Sequence, residues 1–339
     1  MISKLKKYWK SIVISILLLV ALYVIQHHLP WTNRLVSKIN PLACEKDYQF
    51  VNAEIACGPP AVISKVDYKE TQVELTELIG QKISNNEIEF TGLYFRDLER
   101  GPAFGINDSA EFAPASLLKL PTALAFLGAY EDQPEVFEKK LSYTWLPVSG
   151  SPYFPPKDPV KPGAEYSIDD LLRRMLAGSD NRSYIMLLDY LDAQNNRQVI
   201  EETLIDFGLL SPKNPGGDVL TVRRYASIFR ALYNVSYLDA DTNEKVLSWL
   251  KDAEFAGGLK AGVPSDVPVA SKIGQRIAEL DKTIHLHDCG IVYYPGNPYL
   301  LCVMTKGENI DELSETIGEI SKVIYDEVDS RRLDKNAQP

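Results

Sequence analysis

Positive charge is thin in this chain. Its 36 lysine and arginine residues face 46 acidic ones, a formal net charge of −10, and nowhere gather into a compact patch. A surface of that sign repels a phosphate backbone, which excludes nucleic acid as a partner. Histidine is rarer still. Of the four, His27 and His28 directly follow an apolar run, which leaves His285 and His287 for any site farther along. No G-x-S-x-G turn accompanies them, so a Ser-His-Asp triad on a strand–helix elbow is not expected. His285, His287 and Cys289 alternate and so share one face of a strand, but no fourth ligand is evident and no metal site is expected. No cofactor is expected either, and no internal repeat is visible.

Cysteine is limited to four residues. Cys44 and Cys57 flank a short polar loop whose closure would contribute about 3 kcal/mol. Cys289 and Cys302 stand symmetrically about Pro295-Gly296 in CGIVYYPGNPYLLC, a hairpin pattern that sets the two side chains nearly opposite each other. A bridge and two buried thiols both fit that pair. Four cysteines so arranged suit an oxidising compartment.

What is present begins with an apolar run. Residues Ser11–Ile25 read SIVISILLLVALYVI, uncharged, behind Lys4, Lys6, Lys7 and Lys10. Trp9 to Leu29 supplies the roughly 20 residues a bilayer-spanning helix needs. The preceding lysines orient it with a cytoplasmic N-terminus and the remainder outside. A cleaved signal peptide is the alternative, although no small-x-small cleavage pattern follows closely. The expected plan is a cytoplasmic stub and transmembrane signal-anchor over residues 1–29, an extracytoplasmic stalk over 30–70, a folded domain over 71–328 and a disordered tail over 329–339. That describes a single-pass protein of the cell membrane, expected to be a monomer.

The rest is composed like a folded protein, 45% hydrophobic and 10% aromatic. Val73, Leu75, Leu78, Ile79 and Ile83 recur at helical spacing, and a hairpin pattern starts at Ile88. Ser116 opens the apolar helix LLKLPTALAFLGAY. Pro147 to Pro162 reads as surface loop, and Ser167 caps a helix running to Gly178. Further helices are expected over 196–208 and 220–234, strands over 268–273, 284–294 and 299–305. A closing helix over 310–328 places Leu313, Ile317, Ile320, Ile324 and Val328 on one face. Strands, a helical middle, then strands and a helix make an α+β fold.

Three polar clusters carry the chemistry: Ser116-Leu117-Leu118-Lys119, Ser179-Asp180-Asn181 and Lys272-Ile273-Gly274. A serine hydroxyl attacks only when a base takes its proton. The i, i+3 spacing puts Ser116 and Lys119 on one helix face, and an amine drawn into an apolar pocket loses pKa and becomes such a base. Ser179 is placed to hand a proton to a leaving amine, and Asn181 to donate its amide to a substrate carbonyl. Lys272 at a strand end supplies positive charge. Each cluster has a simpler reading alone. Ser3-Lys6 and Ser248-Lys251 share the S-x-x-K spacing, Ser, Asp and Asn all cap helices, and Lys260-Ala261-Gly262 repeats K-x-G.

Together and in this order the clusters resemble the class A β-lactamases and related penicillin-recognising serine enzymes. The resemblance extends through FAPASLLKLPTALAFL, MLAGSDNRSYIMLLDYL, KAGVPSDVPVASKIG and CGIVYYPGNPYLLCVMTKG, roughly residues 70–328. It implies a β-lactamase/transpeptidase-like fold, an antiparallel sheet flanked by helices plus an all-helical subdomain, with the site in the cleft between them. It implies Ser116 as acylated nucleophile with Lys119 and Ser179 catalytic, and Asn181, Lys272 and Gly274 in substrate binding. It also implies a β-lactam or a peptidoglycan stem peptide as the partner.

The chain departs from that family twice. Its relatives free the acyl-enzyme with a glutamate in a loop after SDN, whereas Leu209 to Gly217 holds no acidic residue and Asp206 and Asp218 only flank it. Deacylation is therefore expected to be slow. Ile273 stands where relatives carry Thr or Ser and offers a substrate carboxylate no hydrogen bond. Cys289 matches the place of an assisting arginine, and Lys260 is the expected substitute as a point charge. A D,D-peptidase and a catalytically degenerate envelope-binding module are the alternatives.

Overall fold

Three nine-residue runs near the C-terminus, buried along most of their length, build the centre of the molecule. The computed structural model describes residues 48–52, 67–99, 101–143, 152–210, 219–278 and 282–336. Strands β1 (Phe90–Asp97), β2 (Ala103–Ile106), β7 (Val269–Ile277), β8 (Ile284–Val292) and β9 (Tyr299–Gly307) form one antiparallel sheet in the order β2-β1-β9-β8-β7. Two further two-stranded ladders are made by β3 (Glu111–Phe112) with β6 (Leu220–Thr221), and by β4 (Lys140–Ser142) with β5 (Glu165–Ser167). β7 is the edge strand of the main sheet, and it carries the third polar cluster.

Each face of the sheet is covered, as an antiparallel sheet buried on both sides requires. One face takes α1 (Lys69–Ser84) and α8 (Ile310–Asn336) over a core that includes Leu75, Ile79, Leu93, Phe95, Leu286 and Val303. Leu313, Ile317, Ile320, Ile324 and Val328 are all buried there, so the expected stripe of the last helix is the observed one. In α1 the stripe is narrower than its spacing predicts. Leu75 and Ile79 are buried, while Val73 and Ile83 are exposed because only one side of the helix meets the sheet.

The other face is covered by the helical part: α2 (Lys119–Ala129), α3 (Ile168–Ala177), α4 (Asn181–Ala193), α5 (Gln198–Asp206), α6 (Val222–Tyr233) and α7 (Ala240–Lys251). α2 is its centre, with every residue from Lys119 to Leu127 buried. This is the α+β plan of an antiparallel sheet with helices.

Several expectations shift in detail. α8 continues to Asn336, past the expected boundary at 328, with Arg331 bonded to Glu327 and stacked over Tyr68. Residues 48–52, expected in a stalk, lie against the helical part. The Glu244 carboxylate accepts the backbone N–H groups of Gln49, Phe50 and Val51 at 2.8–3.0 Å. The Pro-rich segment turns inward at Val160, which is fully buried. The expected transmembrane run, Cys44, Cys57 and residues 211–218 fall outside the described residues. No helix among the described residues is long and apolar enough to cross a membrane. Cys289 and Cys302 face each other in the β8–β9 register and form a disulfide in the core, which removes the free-thiol alternative.

Candidate active site

A 3₁₀ turn, Ala115–Leu118, leads into α2 and carries Ser116, half-buried. Three contacts hold the turn. Tyr225 Oη donates to Leu117 O at 2.9 Å, His287 Nε2 lies 2.9 Å from Ala113 O, and Gly274 packs against Leu117 and Pro114. A Cβ on Gly274 would come within 2.8 Å of Leu117 Cγ, so this glycine is what lets β7 approach the turn. Ala115 has φ +49° and Ser179 φ +55°, left-handed conformations that cost non-glycine residues energy. Ala115 immediately precedes the first polar cluster and Ser179 opens the second.

Lys119 opens a helix that is apolar but for Thr122, and its amine is buried with it. It donates to the backbone carbonyl of Ser179, to Ser179 Oγ at 3.2 Å and to Asn181 Oδ1 at 2.6 Å. Among the described residues it makes no hydrogen bond to Ser116, contrary to the reach expected from their spacing, because the buried SDN turn offers it three acceptors. Desolvation pulls its pKa down to about 7, against the opposing charge of Asp180. An amine so placed is free of its proton about half the time near neutrality, as a base must be.

Lys272, also buried, donates to the same Ser179 Oγ at 2.9 Å and to Ile273 O at 3.2 Å. Burial pushes its pKa well down, the neighbouring Lys119 adds to this, and Asp288 opposes it. Asp288 is buried in turn, accepts the Leu259 N–H at 2.9 Å, and is raised to about 6 by desolvation. Two amines therefore converge on one hydroxyl.

The three members of SDN divide their work. Asp180 is the N-cap of α4: its Oδ1 accepts the N–H groups of Arg182 at 2.7 Å and Ser183 at 3.3 Å, and its Oδ2 that of Val160 at 2.8 Å. The capping alternative thus holds for the middle residue, while Ser179 and Asn181 face the amine of Lys119. The Asn181 oxygen is engaged by the lysine, so its amide NH2 points elsewhere.

Ser179, Lys272 and Ile273 line a cavity of about 530 Å³. Ser116, Lys119, Asn181 and Gly274 are not part of its lining. Lys260 stands apart from it. Its amine donates to Lys251 O at 3.2 Å and Ala253 O at 2.5 Å, at the C-terminal end of α7, and it lines a separate cavity. Its amine is thus held by helix-end carbonyls, away from the cavity that Ser179 and Lys272 line. At position 289 the disulfide lies opposite Lys272 in register. His285 and His287 do share a face with Cys289, but His287 is fully buried and held at about pKa 4 by desolvation, and the cysteine is bridged. Among the described residues no group of three His, Cys, Asp or Glu is arranged to hold a metal.

Tyr225, Gln275 and Asp180's bond to Val160 were not foreseen. Tyr225 reads as one core aromatic of an amphipathic helix, with no local signal of its bond to the Ser116 turn.

The model of the Beta-lactamase enzyme family matches residues 72–328. A search of the curated proteins found no match. Among solved structures, a mutant of PBP-A in an acyl-enzyme complex with penicillin G is 21% identical, with 77% of this chain and 97% of that chain covered and a TM-score of 0.62. A β-lactamase from Chitinophaga pinensis DSM 2588 is 19% identical over 76% of this chain and 99% of that one, TM-score 0.64. A class A β-lactamase from Mycobacterium abscessus is 18% identical, again over 76% and 99%, TM-score 0.61. At these identities the structures speak for the fold.

Proposed function

The chain belongs to the beta-lactamase enzyme family, and we propose that it is a serine acyl-transfer enzyme acylated at Ser116 by β-lactams. One observation carries the reading: Ser179 Oγ accepts from Lys119 and Lys272, 3.2 and 2.9 Å away. In the proposed reaction Ser116 Oγ attacks the β-lactam carbonyl and its proton passes to the neutral Lys119 amine. The carbon–nitrogen bond then breaks, the leaving nitrogen takes a proton from Ser179 Oγ, and Lys119 restores that proton. The charge of Lys272, when present, holds Ser179 in place and favours its proton loss. The amide NH2 of Asn181 donates to the carbonyl of the substrate's side chain.

Release of the acyl group is slow in this reading, since Leu209 to Gly217 contains no carboxylate to activate water and such a base is worth ~10²–10⁴-fold. The same gap favours a second reading, a D,D-peptidase acting on stem peptides of peptidoglycan. A third, a degenerate envelope-binding module, draws on the three hydrogen bonds of Lys119, all made to Ser179 and Asn181. Intact-mass spectrometry after exposure to penicillin tests the set. An adduct that Ser116→Ala abolishes and that persists for hours supports the main reading. D-alanine release from a stem peptide selects the second, and no adduct with no release leaves the third.

We place the enzyme at the cell membrane as a single-pass protein with its domain outside the cytoplasm. The uncharged run Ser11–Ile25 behind four lysines supports this, as does a disulfide at Cys289–Cys302. Protease treatment of intact cells that fails to cut the domain overturns it.

A further inference from the structure

The cavity that Ser179 and Lys272 open onto extends past β7 to the first turns of α8. Its walls are of two kinds. Ile273 offers hydrocarbon alone, and the rings of Phe154 and Phe255 meet at 4.5 Å between centroids. Phe154 is held in place by the edge strand. Its N–H donates to Gln275 Oε1 and its carbonyl accepts from Gln275 Nε2, both at 3.1 Å. Because the side-chain amide pairs with the backbone as a second peptide would, the aromatic wall is ordered before any ligand arrives. An apolar group entering it meets a formed surface and incurs little ordering cost.

The remaining wall carries an excess of acidic groups. Glu254 lines it together with Asp311 and Glu315, which are spaced i, i+4 on α8. No arginine lines the cavity among the described residues; Lys157 does, exposed like Asp311 and Glu315, with its backbone N–H donating to Glu254 Oε2 at 2.6 Å. Lys272 directs its amine to Ser179 and to Ile273 O. An anion here would meet three carboxylates against the one exposed lysine and, on the Ile273 side chain, no donor.

Chemistry says which part of a substrate reaches this place. If Ser179 protonates the leaving nitrogen, the groups that nitrogen carries lie on the Ser179 and Lys272 side, where the cavity opens. The geometry points to a specificity pocket for a neutral, apolar leaving-amine substituent, so the preferred acyl donor carries no carboxylate there. This rests on the reading of Ser116 as nucleophile.

Benzylpenicillin and its methyl ester separate the two ideas, since they differ in that one charge. The rate of adduct formation with the whole protein is read by intact mass for each probe and divided by the probe's own rate with hydroxide. The ester is expected to acylate about tenfold faster than the acid, the scale of a few partly screened like-charge contacts. Ile273→Thr, which adds a hydroxyl, and the combined Glu254→Gln, Asp311→Asn, Glu315→Gln variant are each expected to narrow that ratio, with thermal unfolding confirming that both are folded. An acid that reacts as fast as the ester, or a ratio unmoved by either variant, overturns the pocket assignment while leaving acylation intact. No adduct from either probe removes the acylation reading and the pocket with it.

Discussion

Lys272 Nζ lies 2.9 Å from Ser179 Oγ, although the two residues are 93 positions apart in the chain. Helix α4 begins two residues after Ser179 and the edge strand carries Lys272, so this bond ties the helical part to the sheet beside the cavity that both residues line. With Lys119 approaching the same hydroxyl from α2, Ser179 is the meeting point of three elements. Replacing it tests the whole arrangement. Ser179→Ala is expected to lower the acylation rate ~10²–10⁴-fold, the range for a positioned proton-transfer group. The backbone carbonyl that Lys119 also uses is retained. Time-resolved intact-mass measurement reads the rate, and an unchanged rate would sink the shuttle role.

Acylation should depend on pH through Lys119. With its pKa lowered to about 7, the neutral amine grows as pH rises, so the rate is expected to climb through pH 7 and level off above it. Lys119→Arg keeps a permanent charge and is expected to abolish labelling at every pH. Stability should follow the same group. Between about pH 7 and 10.5 the unfolded chain binds this proton more readily than the folded one, so stability contributed by Lys119 rises with pH across that window. Urea midpoints taken through the window, compared with Lys119→Met, check the sign.

Asp180 is expected to matter for stability more than for chemistry. Its carboxylate accepts three backbone N–H groups, two at the start of α4 and one at Val160. Asp180→Ala should lower stability by about 1–2 kcal/mol, the upper part of the range for a lost N-cap. Denaturant unfolding measures this, and Asp180→Asn should recover part of the loss.

Gly274→Ala is expected to do the reverse. A methyl group 2.8 Å from Leu117 Cγ and 3.2 Å from Pro114 O must push the turn that carries Ser116. Such displacement of a reacting atom can cost on the order of 10²-fold. Labelling should fall by about that factor while the circular dichroism spectrum is unchanged. Full labelling would show that the turn moves without consequence.

Much of the fold was legible in the order of residues. The stripe from Leu313 to Val328 named the buried face of the last helix, and Ser167 marked the start of α3, where its side chain accepts the Asp170 N–H. Those features are local: helical spacing and caps involve residues within one or two turns. The exposed Val73 and Ile83 show where periodicity overreaches, because which flank of a helix is covered depends on its partner. Lys260 shows the same limit at the site. Its position along the chain matched a substrate role, but only packing placed helix-end carbonyls at its amine.

The succession of S-x-x-K, SDN and K-x-G, and the apolar character of the helix behind Lys119, were settled by covalent order alone. Which oxygen each lysine reaches, which member of SDN caps and which faces inward, and whether two cysteines bond were settled only when remote segments packed. Desolvation and hydrogen bonding act through space over a few ångströms, and distance along the chain does not encode them.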